Sequence, residues 1–171
     1  MGLEINVSPL VVSDIPKILE IENDSQPEPW TETAFLEEIG KPHSRLLGAW
    51  QPTGAFCDAP GCSSRDIVGY ICFWSVAGEI QILNIAVRRD LRRRGVARKL
   101  IEAAIRAGLE DKAWWVTLEV RENNLAARRL YESIGFIIVG ERPNYYAVGK
   151  ESAILMTLDL IGVEGRRTGD A

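Results

Sequence analysis

The chain contains, from Ile80 to Leu109, the stretch IQILNIAVRRDLRRRGVARKLIEAAIRAGL, around which the rest of the sequence is organised. Its first part is a near-continuous apolar run, which predicts a strand covered on both faces. Its last part has apolar residues at the three-to-four-residue spacing of a helix with one buried face. Those helix residues are Val96, Leu100, Ile101, Ala104, Ile105 and Leu109. The stretch therefore predicts a strand, a turn and a helix in succession.

The turn in this stretch has the features of an anion-binding site. It has the sequence Arg92-Arg93-Arg94-Gly95-Val96-Ala97, in which a glycine and a small residue let the backbone approach a ligand closely. The free N–H groups at a helix start and the positive end of its dipole bind phosphate anions. A nucleotide-like cofactor is therefore predicted here.

Basic residues crowd into this part of the chain. They are Arg88, Arg89, Arg92, Arg93, Arg94, Arg98 and Lys99. A run of like charges is often no more than a solvated helix start. Beside Gly95 and Ala97, we interpret the cluster as adding charge for the phosphate groups of the cofactor.

The pattern Arg92-x-x-Gly95-x-Ala97 resembles the Gln/Arg-x-x-Gly-x-Gly/Ala acetyl-CoA motif of the GNAT superfamily of N-acetyltransferases. The flanking blocks are similar to those of its RimI branch, which acetylates the N-terminal alanine of a small-subunit ribosomal protein. These blocks are Asn84-Ile85-Ala86-Val87, Leu118-Glu119-Val120-Arg121 and the segment from Asn123 to Phe136. Ala97 replaces the commoner second glycine, which the pattern allows. The resemblance extends from Val7 to Leu160.

The resemblance implies an α/β (α+β) GNAT fold, with a mixed, mostly antiparallel sheet of about six or seven strands flanked by helices. It also implies that the fourth and fifth strands splay to admit the cofactor. We expect one acetyltransferase domain over residues 1–161, a loop insertion over 51–66 and a disordered tail over 162–171.

The sequence pattern predicts seven strands and four helices. The strands are Glu4–Val12, Arg45–Trp50, Ile67–Val76, Gly78–Arg89, Trp114–Val120, Phe136–Val139 and Ala153–Leu158. The helices are one capped by Ser13, one opened by Trp30-Thr31-Glu32, one ending near Leu109, and one over Asn124–Ser133 ended by Gly135.

The resemblance also implies acetyl-CoA as the co-substrate. The residues expected to bind it are Ile85, Ala86, Val87, Arg92, Arg93, Arg94, Gly95, Val96, Ala97, Asn124 and Tyr131. Asn124 is equally suited to capping a helix, and both roles are compatible. The apolar side chains from Ile85 to Val87 would be core residues in any case. The resemblance implies that strand pairing is interrupted there, which would let their backbone amides meet the acyl carbonyl.

Glu119 and Tyr131 are the candidate catalytic residues. A tyrosine hydroxyl, with a pKa of about 10, can return a proton to a departing thiolate. A carboxylate can remove the proton of an α-ammonium group, whose pKa is about 8. The structural alternatives are a core tyrosine with a satisfied hydroxyl and a strand carboxylate paired with an arginine such as Arg121.

Loop aromatics are the candidate substrate contacts, together with Glu119. Trp30 follows a proline-rich bend, and Tyr145 and Tyr146 lie in an irregular loop. Such residues either line a peptide-binding groove or pack loops onto the core. The resemblance favours the groove.

Composition excludes several other classes of protein. The 171 residues carry a net charge of −4, which argues against general nucleic-acid binding, and no apolar run approaches the length of a membrane span. The N-terminus lacks the pattern of a secretory signal, so we expect a cytoplasmic protein without membrane contact.

Three cysteines and one histidine limit the remaining chemistry. Cys57 and Cys62 lack a second ligand pair, so no metal site is predicted. His43 lies in a turn without a nucleophile elbow, so a catalytic triad and a covalent acyl-enzyme through Cys57 or Cys72 are disfavoured.

The resemblance implies an N-acetyltransferase that modifies a protein N-terminus, most directly the N-terminal alanine of a small-subunit ribosomal protein, by direct attack on acetyl-CoA. Acetylation of a small-molecule amine by the same fold is one alternative. A non-catalytic acyl-CoA-binding module is another, although the presence of Glu119 and Tyr131 argues against it.

Overall fold

The computed structural model describes residues 4–52 and 65–161. The tail over 162–171 and most of the insertion predicted over 51–66, including Cys57 and Cys62, lie outside those residues. The strands are β1 (Asn6–Pro9), β2 (Ser44–Pro52), β3 (Arg65–Val76), β4 (Glu79–Val87), β5 (Trp115–Arg121), β6 (Ile137–Arg142) and β7 (Ala153–Asp159). The helices are α1 (Ile15–Ser25), α2 (Glu32–Gly40), α3 (Val96–Glu110) and α4 (Leu125–Ile134). Short 3₁₀ turns cover Val12–Asp14, Arg89–Leu91 and Val148–Lys150.

The strands form one seven-stranded sheet in the order β1-β2-β3-β4-β5-β7-β6. The pairs β1–β2, β5–β7 and β6–β7 are antiparallel, whereas β4 and β5 are parallel. The prediction of a mixed, mostly antiparallel sheet is thereby confirmed. The parallel register runs from the pair Glu79–Trp115 to the pair Ile82–Leu118 and is shorter than either strand.

The described residues form two compact units. Among them, the first unit comprises 4–52, 65–72 and 84–103, and the second comprises 73–83 and 104–161. The core of the first unit includes the apolar face of α1, where Ile15, Ile18 and Ile21 are buried at helical spacing. The core of the second unit includes Val116, Leu118 and Val120, which alternate along β5.

Local sequence signals explain where the helices start and stop. Thr31 caps α2, its hydroxyl accepting a hydrogen bond from the Ala34 N–H at 3.3 Å. Asn124 caps α4 in the same way, and Gly135 ends that helix with a φ of +116°, a left-handed conformation that favours glycine. Both helices begin or end where the sequence predicts.

The structure corrects the N-terminal prediction. Strand β1 covers only Asn6–Pro9, because the chain turns into a 3₁₀ segment at Val12. The cap position of α1 is occupied by Asp14 and not by Ser13, and the Asp14 carboxylate accepts a hydrogen bond from the Val11 N–H at 2.9 Å.

Two strand predictions also change. Trp114 precedes β5 and is 52% exposed, and its N–H donates to the Gly78 carbonyl. Strand β4 is not covered on both faces: Gln81 is exposed and Ile85 half-buried, while the alternate positions are buried. The burial alternation of a one-sided strand thus replaces the fully covered strand that the apolar run suggested.

Candidate active site

The last residues of β4 place their side chains in or near the core and direct some carbonyls to polar partners. Ala86 and Val87 are buried. The Ile85 carbonyl accepts a hydrogen bond from Gln26 Nε2 at 3.2 Å, and the Val87 carbonyl accepts one from Arg92 Nε at 3.0 Å. The three residues therefore combine apolar side chains with a backbone whose position is fixed by side chains from elsewhere in the first unit.

The segment that follows β4, which we call the phosphate turn (Arg92–Ala97), leads directly into α3. Arg93 and Gly95 adopt positive φ angles of +63° and +82°. The first helical hydrogen bond runs from the Lys99 N–H to the Gly95 carbonyl at 3.1 Å, so the N–H groups of Val96 and Ala97 precede it at the start of the helix. A Cβ built on Gly95 would meet no atom within 4 Å. The turn thus presents backbone donors in open space, which fits a pyrophosphate group.

Most of the basic cluster is held by the protein itself. Arg88 pairs with Asp66 at 2.6 Å and with Asp90 at 2.7 Å, and Arg89 pairs with Asp24 at 3.0 Å. Hydrogen bonding to Asp90 raises the pKa of Arg88 above its ordinary value, and the same contact lowers the pKa of Asp90. These ion pairs hold in place the segment between the end of β4 and the phosphate turn.

Arg92, Arg93 and Arg94 differ in what surrounds them. Besides the Val87 carbonyl, the Arg92 guanidinium donates to Ser25 Oγ at 3.0 Å. Arg93 and Arg94 are exposed, and Arg94 adds to the effect of Arg88 in lowering the pKa of Asp90. Of the three, Arg93 and Arg94 are therefore the ones able to add charge to a bound phosphate.

In the second unit, α4 carries the other predicted cofactor residues. Asn124 Oδ1 accepts a hydrogen bond from the Ala127 N–H at 3.2 Å, which confirms its capping role. Tyr131 is buried, and its ring packs at 5.6 Å from that of Phe136. Burial, together with the nearby Tyr146 hydroxyl, raises the pKa of Tyr131 above its ordinary value. Tyr131 is thus kept in its protonated, hydrogen-donating form through neutral and moderately alkaline pH.

Glu119 forms a cluster with two residues that follow it in the chain; we call Glu119, Arg142 and Tyr145 the carboxylate cluster. Glu119 Oε1 accepts a hydrogen bond from Arg142 Nη1 at 2.9 Å, and the Glu119 side chain is 22% exposed. The Tyr145 hydroxyl also donates to Glu119, and this hydrogen bond raises the pKa of Tyr145. The carboxylate is therefore partly accessible and oriented by two donors.

Arg121, the partner suggested for Glu119 by sequence, is engaged elsewhere. It pairs with Glu151 at 3.5 Å, and its guanidinium lies 3.8 Å from the centre of the Tyr146 ring. Glu151 Oε1 also accepts from the Asn123 N–H at 2.6 Å, next to the cap of α4. Arg121 and Glu151 thus hold Tyr146, whose pKa burial raises, at a fixed place in the β6–β7 loop.

Trp30, the remaining predicted substrate residue, lies between α1 and α2 in the first unit. The centre of its ring lies 5.4 Å from the centre of the Phe35 ring. The backbone N–H of Trp30 donates a hydrogen bond to the buried carboxylate of Glu22 at 2.8 Å. Trp30 is partly exposed, as a contact residue must be.

Sequence reasoning missed Glu22, Asn84 and Arg142. A signal for Glu22 was present, because a carboxylate four residues after Ile18 continues the apolar face of α1. No local pattern indicates Arg142, because its partner Glu119 lies on β5, which β7 separates from β6 in the sheet.

The described parts of the chain contain neither a candidate metal-binding cluster nor a helix suited to crossing a membrane. Over residues 4–52 and 65–161, no group of three or more His, Cys, Asp or Glu side chains could hold a metal ion. None of the helices in those ranges is both long and apolar enough to cross a membrane.

Comparison with known proteins gives a consistent result. The sequence matches the acetyltransferase (GNAT) family over residues 15–136. It is 34% identical, over 157 residues, to the ribosomal protein bS18-alanine N-acetyltransferase of Salmonella typhimurium, covering 90% of this chain and 97% of the relative. It is 32% identical to the N-alpha-acetyltransferase RimI of Mycobacterium tuberculosis over 139 residues, with 77% of each protein covered.

Solved structures agree with this result. The crystal structure of the ribosomal-protein-S18-alanine N-acetyltransferase from Escherichia coli superimposes with a TM-score of 0.77 at 29% identity. The superposition covers 92% of this chain and 94% of that chain.

Proposed function

Because this chain belongs to the acetyltransferase (GNAT) family, we propose that it transfers the acetyl group of acetyl-CoA to the α-amino group of a protein N-terminus. The acceptor that we propose first is the N-terminal alanine of ribosomal protein bS18, in the cytoplasm. The observation that carries this choice is 34% identity to an enzyme of that name over nearly the full length of both proteins. We treat residues 1–161 as one acetyltransferase domain.

In this proposal the phosphate turn binds the pyrophosphate of acetyl-CoA. The N–H groups of Val96 and Ala97 donate to it at the positive end of α3, and Arg93 and Arg94 contribute charge. Arg92 supports the turn through Val87 and Ser25. Backbone amides from Ile85 to Val87 are the proposed donors to the thioester carbonyl, and Asn124 is proposed to contact the cofactor as well as capping α4.

The reaction requires two proton transfers. The amine nitrogen attacks the thioester carbonyl carbon, and Glu119 removes the proton that the nitrogen must lose. The C–S bond breaks, and Tyr131 donates its hydroxyl proton to the departing thiolate. The products are an N-acetylated peptide and CoA with a free thiol. Glu119 then releases its proton to solvent and Tyr131 regains one from solvent, so atoms and charge balance without a covalent enzyme intermediate.

Trp30, Tyr145 and Tyr146 are proposed to contact the peptide. The hydroxyl of Tyr145 already donates to Glu119, so a substrate amine that approaches this carboxylate meets Tyr145 as well. Tyr146 is held by Arg121, which makes it a fixed rather than adaptable surface.

The test is release of free thiol from acetyl-CoA in the presence of a short peptide beginning with alanine. We expect turnover and a mass gain located at the peptide N-terminus. The matched control is the same peptide with its α-amine already acetylated, which retains every side chain and should not react. Turnover with small amines alone would overturn the peptide assignment. Saturable acetyl-CoA binding without acetylation of the peptide or of small amines would overturn the assignment of the chain as a protein N-terminal acetyltransferase.

A further inference from the structure

A fully buried carboxylate outside the proposed catalytic residues organises the first unit. Glu22 lies on the apolar face of α1 and is 0% exposed. Burying a carboxylate is costly unless hydrogen-bond donors replace the water that it loses. Glu22 has three such donors: the Tyr70 hydroxyl on Oε2, Asn84 Nδ2 on Oε1 at 2.9 Å, and the Trp30 N–H on Oε1 at 2.8 Å.

The donor from Trp30 is important because of the sequence around it. The segment Pro27–Thr31, which we call the Trp30 segment, contains Pro27 and Pro29, neither of which has an N–H group. Only Glu28 and Trp30 therefore offer backbone N–H donors before the cap of α2. One of these two donors is used on Glu22, so the carboxylate is a principal attachment of this segment.

The Trp30 ring is attached to the same place by a second route. It contacts Phe35 at 5.4 Å, and Phe35 in turn contacts Tyr70 edge-on at 5.3 Å. Tyr70 is the residue that donates to Glu22 from β3. The backbone of Trp30 is thus bonded to Glu22, and its ring is connected through Phe35 to Tyr70. Together these contacts fix the position and the orientation of the indole.

The network continues to the β4 backbone. Gln26 Nε2 donates to Asn84 Oδ1 at 3.0 Å and to the Ile85 carbonyl at 3.2 Å. Glu22 therefore connects the Trp30 segment with the strand residues that precede the phosphate turn, and all of these contacts lie within the first unit.

We propose that Glu22 is a positioning residue that holds the Trp30 segment in the conformation that receives the acceptor peptide. This inference rests on the proposed function, in which Trp30 contacts that peptide. Glu22 itself does not exchange protons with the substrate, because it is enclosed and its oxygens are used by Tyr70, Asn84 and Trp30. Its effect on catalysis passes through the placement of Trp30.

The test compares two replacements of Glu22. Glu22→Gln retains an oxygen for Asn84 and Trp30 and an amide N–H for the Tyr70 oxygen, so we expect a peptide KM within about twofold of the wild-type value. Glu22→Met fills the same space without acceptors, and the loss of a hydrogen bond to a charged group predicts a rise in peptide KM of about tenfold. Should the methionine variant not fold, Glu22→Asp replaces it, because a shorter side chain cannot reach all three donors.

Two further measurements separate positioning from general destabilisation. Tyr70→Phe removes one donor but leaves the Trp30 contact, so it should lower the melting temperature while leaving the peptide KM within about threefold. In a cycle with Trp30→Ala, the KM effects of Glu22→Met and Trp30→Ala should not multiply, because both act through the same side chain. Multiplying effects, or an impaired Glu22→Gln variant, would overturn the proposal.

Hydrogen exchange tests the positioning without using turnover. The Trp30 amide should be protected in the wild type and in Glu22→Gln, and exchange at least tenfold faster in Glu22→Met. Unchanged exchange would overturn the role of Glu22 even in an active enzyme. Absence of peptide turnover in the wild type would overturn the proposed function instead, while the exchange result would still decide whether Glu22 holds the Trp30 segment.

Discussion

Glu119 Oε1 accepts a hydrogen bond from Arg142 Nη1 at 2.9 Å, over the strand that separates β5 from β6 in the sheet. The pair is unequal in exposure, with side chains 22% exposed for Glu119 and 55% for Arg142. An ion pair with one such solvated partner is worth roughly 0–1 kcal/mol. Arg142 therefore orients the carboxylate through a weak ion pair, and an incoming ammonium group can compete for the same oxygen.

Replacing Glu119 by glutamine should lower turnover, because the amide cannot accept the proton of the attacking amine. General base catalysis contributes about 10²–10⁴-fold, so we expect kcat to fall by about 10²-fold. The loss should be largest between acidic and neutral pH, where most of the α-amine is protonated. Initial rates from pH 6 to pH 9 test this expectation, with Glu141→Gln, an exposed change on β6, as the matched control. Equal rates for wild type and Glu119→Gln across this range would remove Glu119 from the mechanism.

Replacing Arg142 by glutamine should strengthen the binding of the peptide substrate. The variant leaves the Glu119 carboxylate open to the substrate ammonium, so the peptide KM should fall by up to about fivefold, as expected from about 1 kcal/mol. The difference from wild type should shrink in high salt, because exposed charges are screened. A raised KM at both low and high salt would instead identify Arg142 as a direct contact of the peptide.

The extent of sequence-based prediction differs between local and long-range features. The α4 cap at Asn124 and its end at Gly135 follow from residue chemistry within a few positions, and both are observed. The strand–turn–helix order around Gly95 is likewise local. Contacts such as Arg142 with Glu119 depend on how β5, β7 and β6 are paired, and the sequence pattern names Arg121 because it is the nearer neighbour.

The burial of polar side chains also cannot be predicted from hydrophobic periodicity alone. An apolar run predicted β4 as a covered strand, yet Asn84 is buried as a hydrogen-bonded side chain and Ile85 is only half-buried. The acceptor for Asn84 comes from α1, sixty-two residues earlier in the chain, so no local window contains the interaction.

Replacing Tyr131 by phenylalanine should slow acetyl transfer while leaving acetyl-CoA affinity nearly unchanged. The ring stays packed against Phe136, so only the proton donor is lost. We expect kcat to fall by about 10²-fold or more, as is typical for removal of a general acid. A quenched-time-point rate assay measures kcat, and calorimetric titration with acetyl-CoA measures its dissociation constant. A variant with full kcat would show that another group protonates the thiolate.

Replacing Gly95 by alanine should weaken acetyl-CoA binding without a steric clash. The added Cβ meets no atom within 4 Å, but a φ of +82° costs an alanine about 1–2 kcal/mol, so the phosphate turn will shift. Gly149→Ala is the matched control, because Gly149 has a φ of +81° and the same open space. Both variants should lose similar stability, and only Gly95→Ala should raise the dissociation constant of acetyl-CoA. Equal affinities would contradict the role of the turn.

The buried hydroxyl of Tyr131 should make the fold sensitive to alkali. Burial raises its pKa above the value of about 10 that it has in the unfolded chain, so its contribution is complete below pH 10. Above that pH the unfolded state releases the proton first, and stability falls by up to about 1.4 kcal/mol per pH unit for this group. Tyr131→Phe lacks the proton, so its free energy of unfolding, measured by urea titration from pH 8 to pH 11.5, should decline less steeply than that of the wild type. Tyr145→Phe removes the hydroxyl of a half-exposed residue and should change the slope less. If it changes the slope as much as Tyr131→Phe, then burial of Tyr131 is not the cause.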